Sequence, residues 1–179
     1  YSSAEVRLLE VIKPDGTVVP VDVAAQSRIM VDRSQMGSNI YNPNNKIYRV
    51  SIPELEIGDM VHYVSYRDEM KARMPNTWSD WTILEWNRPI KRFVYEVRGP
   101  SMLPLRNIKI NHRIEDSVVF EKGEESGSIR YRWEAKDIPR MFDEPNMPSR
   151  HTVVQHLIVT TIPDWKTVSR WYWNLSKPH

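Results

Sequence analysis

The stretch SVVFEKGEESGSIRYRWEA, residues 117–135, decides the fold class. In its second half Ile129, Tyr131 and Trp133 recur at every second position. That is the period at which strand side chains share a face, whereas a helix would need apolar residues three and four apart. The first half, led by Val118, Val119 and Phe120, has the same strand composition, and Gly123 to Gly127 read as the loop of a hairpin between them.

The same period runs outward in both directions. AEVRLLEVIKPDGTVVPVDV reads as two strands joined at Pro14-Asp15-Gly16, a turn tripeptide. NKIYRVSIPELEIGDMVHYVSYRDEM holds another two, with Gly58-Asp59 as the turn before the second. There Val61, Tyr63 and Ser65 face one way and Met60, His62, Val64 and Tyr66 the other. KRFVYEVRG puts Phe93, Tyr95 and Val97 on one face. RNIKINHR sets Ile108, Ile110 and His112 against Lys109, Asn111 and Arg113. HTVVQHLIVTTI is β-branched on both faces, as a central strand is. IPRMFDEPNMPSR, residues 138–150, has no period and reads as an ordered loop at an edge or end of the sheet. About nine or ten short strands separated by turn signals predict an all-β, mostly antiparallel β-sandwich over residues 1–162.

The tail differs. From Asp164, an expected N-cap after Pro163, the residues Trp165, Val168, Tyr172 and Leu175 form one helical stripe that Lys177-Pro178 ends. A helix this short is marginal alone, so the stripe is expected to lie on the sandwich. Trp171 and Trp173 then point apart, which leaves at least one of them exposed as an interdomain contact.

With 179 residues, 40% hydrophobic and 27% charged, the chain fits a folded globular protein. No apolar run approaches the roughly 20 residues of a membrane span. The net charge of +2 is too small to argue for nucleic acid. The locally basic segment from Asn87 to Arg113 reads as solvated strand faces. The chain contains no cysteine, which excludes a cysteine nucleophile or a thiolate metal site within it. His151 and His156, on an expected strand, would point to opposite faces. His62 and His112 read as satisfied, partly buried histidines, so no metal or cofactor site is expected. Glu121, Glu124 and Glu125 read as a solvated hairpin, and Glu144 as a residue that holds the proline-rich loop. Neither a Gly-x-Ser-x-Gly elbow nor a glycine-rich phosphate loop occurs, so no catalytic residue is assigned.

NTWSDWTILEW is the most suggestive segment. Trp78, Trp81 and Trp86 either fill the sandwich interior or its end, or form a platform for a sugar ring, and the filling role is the expected answer.

VIKPDGTVVPV followed by YRVSIPELEIGDMVHYVSY resembles a bacterial domain of unknown function that precedes transglutaminase-like domains in cell-envelope proteins. Pro53, Leu55, Glu56, Gly58, Asp59, Val61 and Tyr63 match its turn-strand unit. Tyr131, Trp133, Ala135, Ile138, Pro139, Glu144, Pro145, Met147 and Pro148 match its later Tyr-x-Trp strand and Glu-Pro-x-Met-Pro loop. Trp165, Val168, Trp171 and Tyr172 resemble the helix that leads out of the domain. The resemblance implies a non-catalytic scaffold or recognition domain in the periplasm or cell envelope. It also implies that the tail, residues 163–179, links to a transglutaminase-like Cys-His-Asp domain, with a protein or glycan as a further ligand. The chain opens on Tyr1 without a signal peptide, so an excerpt of a longer protein is expected.

Overall fold

The computed structural model describes residues 2–34, 43–72, 74–111 and 116–177, with the side chains of Arg150 and His151 excepted. The chain is all-β, its strands pair antiparallel, and it divides into two compact units, Tyr1–Lys71 and Ala72–His179.

The first unit holds β1 (Ser2–Ile12), β2 (Val18–Pro20), a helical turn α1 (Val23–Gln26), β3 (Ser27–Val31), β4 (Lys46–Val50) and β5 (Met60–Glu69). β1 lies between β2 and β5, while β3 pairs with β4. The expected turn at Pro14-Asp15-Gly16 joins β1 to β2. Gly16 sits at φ +87°, a region open to glycine without a Cβ clash. Its N–H donates to the Lys13 carbonyl at 2.9 Å. Register on β5 follows the alternation read from the sequence: Val61 lies opposite Val11 and Tyr63 opposite Leu9, whereas His62 lies opposite Glu10 and Val64 opposite Leu8. A bulge between Val6 and Leu8 keeps that alternation in step. β4 and β5, consecutive in sequence, pair with different partners.

The second unit contains β6 (Ser79–Ile83), β7 (Ile90–Pro100), β8 (Asn107–Asn111), β9 (Val118–Glu125), β10 (Ser128–Ile138), a turn of helix α2 (Arg150–Val153), β11 (His156–Thr160) and the helix α3 (Trp165–Ser176). One sheet has the order β7-β10-β9 and the other β6-β11-β8. They face each other as a sandwich. Ile129, Tyr131, Trp133, Ala135 and Ile138 of β10 meet Leu157 and Val159 of β11 in one core, with Phe93, Tyr95, Val97, Ile110 and Val118 packed around it. Trp133 is fully buried, stacked on Phe120 at a ring separation of 5.0 Å. Burying a ring of ~200 Å² contributes about 5 kcal/mol at ~25 cal/mol per Å². The Tyr95 hydroxyl donates to Asp80 Oδ2 across the two sheets at 2.5 Å. Burial, and then the Asp80 carboxylate, push this phenol far above its ordinary range, so it stays a donor.

The hairpin of residues 117–135 forms, with a tighter turn than expected. Glu125 pairs directly with Ser128, and Gly123 pairs with Arg130 inside the ladder. The loop is therefore Ser126-Gly127, both at positive φ (49° and 79°), as a primed two-residue turn requires. β11 is central, as its composition indicated. Residues 151–153, expected to be strand, instead belong to α2.

Candidate functional site

Four places carry the chemistry of the described residues. The first joins the two turns of the opening unit. Lys13, just after β1, donates to Asp59 Oδ2 at 2.9 Å, to Glu56 Oε2 at 3.3 Å and to the Glu54 carbonyl at 3.3 Å. The Asp59 side chain is 1% exposed, and its Oδ2 also accepts from the Glu56 N–H at 2.9 Å. That N–H, and next the Lys13 ammonium, hold the Asp59 carboxyl below the usual carboxylate range. Gly58 stands at φ +100°, where an added Cβ would meet Pro14 Cγ at 3.4 Å. The Lys-Pro-Asp-Gly and Pro-x-Leu-Glu-x-Gly-Asp segments thus interlock through the ion pairs of Lys13 with Asp59 and Glu56 and one close approach. Neither sequence segment announces the other.

The second is the outer face of β10, a lattice of charges. Arg92 reaches Glu134 at 3.0 Å, and Arg132 binds the other oxygen of the same carboxylate. Arg98 and Arg130 reach Glu96 at 2.6 and 3.7 Å. Arg92 first, and then Arg132, hold the Glu134 carboxyl at about 2. Arg92 and Arg98, from the basic segment, are therefore solvated strand faces, as read.

The third comprises the tryptophans. Trp81 belongs to the outer face of β6, beside Ile158 of β11, with its ring edge against His156 at 5.9 Å. Trp78 and Trp86 lie just beyond the two ends of that short strand. All three keep between 38 and 47% of their surface in water, so the expectation that they fill the interior does not hold. β6 is an edge strand, and the core is filled instead from β10 and β11. Trp78 and Trp86 are odd-numbered steps from Trp81 in sequence, so strand alternation does not set the three on one face.

The fourth is the loop of residues 139–149. Met141 is buried and donates its N–H to the Trp86 carbonyl at 2.8 Å. Arg140, Met141, Phe142, Glu144, Met147 and Val153 line a shallow cleft of about 290 Å³, with the Arg140 guanidinium 4.1 Å from the Phe142 ring centre. The Glu144 carbonyl accepts from Met147 N–H at 3.2 Å, so its part in holding the loop runs through the backbone.

The side chains of two histidines are described, one in each unit. His62 is half-exposed and bonded to Glu10 at 2.7 Å, so it is satisfied as expected, with half of its side chain in water. His156 is buried and bonds the Val154 carbonyl at 3.0 Å. His112 and His179 lie outside the described residues. Among the described residues, no group of three His, Asp or Glu could hold a metal ion.

In the tail, Asp164 caps α3 as read, accepting from Thr167 N–H at 2.7 Å. Of the stripe expected to dock, only Val168 is half-buried. Trp165 is 83% exposed, and Tyr172 and Leu175 are exposed as well, whereas Thr167, Val168 and Trp171 are half-buried. Of the pair Trp171 and Trp173, Trp173 is exposed, so at least one of the two projects into water as anticipated.

A family model for a domain of unknown function with solved structure matches residues 1–142. The chain belongs to that family, DUF3857. The DUF3857 match includes both interlocked turns and the buried Tyr-x-Trp strand. The Glu-Pro-x-Met-Pro loop and the tail helix lie beyond its matched residues. No curated protein matches the chain. A crystal structure from Parabacteroides distasonis ATCC 8503, of a protein provisionally called a protease, is similar over 91% of this chain with a TM-score of 0.73 and 19% identity. At that identity the likeness establishes the fold. The DUF3857 chain spans 31% of that structure's length.

Proposed function

We propose that this chain is a non-catalytic scaffold or recognition domain that accompanies a transglutaminase-like domain bearing Cys-His-Asp. Residues 1–162 serve as the β-sandwich part and residues 163–179 as the connection, and the domain works in the periplasm or cell envelope. The observation that carries this reading is the partial span of the solved relative: a chain covering 31% of a longer protein provisionally called a protease leaves most of that protein to supply chemistry. The absence of cysteine from the sequence supports it, since the nucleophile must then come from elsewhere. The half-buried Trp171 and exposed Trp173 are the interdomain contacts of this reading. Reading the coding sequence beyond His179 tests it: a downstream Cys…His…Asp is expected, and a stop codon or an unrelated segment there overturns it.

A carbohydrate-binding module is the second reading, favoured by the exposure of Trp78, Trp81 and Trp86. Trp81→Ala with unchanged melting and lost glycan binding would support it.

A further inference from the structure

Helix α3 is fully formed yet buries none of its residues. At 100° per residue, Trp165, Val168, Trp171, Tyr172 and Leu175 fall within an arc of about 120°, and Lys166 and Arg170 within about 40° on the other side. Val168, in the middle of the apolar arc, and Trp171, at one margin of it, are half-buried, while Trp165, Tyr172 and Leu175 stay in water. Between Trp165 and Lys177 stand three basic residues, Lys166, Arg170 and Lys177, and no acidic one. Low mean hydropathy, a wide apolar face made of Trp, Tyr and Leu, and a basic polar face together mark helices that lie in the plane of a lipid interface. Indole and phenol rings settle at the headgroup level, where an apolar body and a polar tip are both satisfied.

We infer that α3 is a peripheral docking element for an anionic lipid surface. Trp165, Tyr172 and Leu175 enter the headgroup region, and Lys166, Arg170 and Lys177 are held by the negative surface charge. A short helix ordinarily loses too much entropy on ordering to bind lipid well. Here Asp164 has already capped the helix, so part of the ordering cost is met before binding. The occupant is argued from that charge complementarity.

The test is sedimentation of the purified chain with vesicles of phosphatidylcholine alone and of phosphatidylcholine with phosphatidylglycerol. The chain should bind the second and not the first, with a blue shift of tryptophan emission. Raising salt from about 0.05 to about 0.5 M should weaken binding several-fold. The triple change Trp165→Ser, Tyr172→Ser, Leu175→Ser should reduce binding by at least about tenfold. Lys166→Glu with Arg170→Glu should do so too while keeping the melting temperature. Lack of binding to the anionic vesicles, or equal binding by either variant, overturns the inference. Protection of the same rings only in a longer protein would instead assign the face to a protein contact.

Discussion

At Asp59 two turns of the first unit share one buried carboxylate, and its environment predicts how it responds to change. Asp59→Asn keeps the shape and removes the partner of the Lys13 ammonium, so the variant should melt below the parent, whereas Glu56→Gln, on an exposed side chain, should melt close to it. Because the folded-state carboxyl lies below its ordinary value, the stability it gives is complete above the usual carboxylate range and is lost as pH falls through that range. The gap between parent and Asp59→Asn should therefore close in acid, as melting curves across pH will show. Among the tryptophans, Trp133→Ala should cost about 3–5 kcal/mol by denaturant titration. Trp81→Ala should cost clearly less, since nearly half of its surface is already in water.

Elements obey the turn and cap chemistry written into them. Ser126 and Gly127 both sit at positive φ, where a serine is strained and an asparagine is at ease. Ser126→Asn should raise stability by about 0.5 kcal/mol, and Gly127→Ala should lower it by about 1 kcal/mol. Asp164→Ala should strip the cap from α3 and lower the helical signal in far-UV circular dichroism without unfolding the sheets, since no α3 residue is part of the core.

For the whole molecule, the charged face of β10 adds to the acid response. Glu134 titrates near 2 and is bound by Arg92 and Arg132, so it stabilises the fold fully above the ordinary carboxylate range and loses that effect as pH falls toward 2. Glu134→Gln should narrow the difference in melting temperature between neutral and acidic buffer. The proposed role carries its own expectation: the purified chain, incubated with amine and glutamine donors or with casein, should show no turnover. Activity that survives repurification would remove the non-catalytic reading.

The sequence by itself determined the all-β class, the alternation on β5, β7 and β10, the Pro14-Asp15-Gly16 turn, the Asp164 cap and the family. Each of these is a local property: a period of two, a residue that tolerates positive φ, or an oxygen three residues before a free N–H. Tertiary structure alone decided that Lys13 reaches Asp59, that β4 and β5 take different partners, and that Trp133 is buried while Trp78, Trp81 and Trp86 are not. It also decided that the stripe of α3 faces water. Burial depends on which strands become central, and pairing joins residues some fifty positions apart. An aromatic side chain reads the same in sequence whether a second sheet covers it or not.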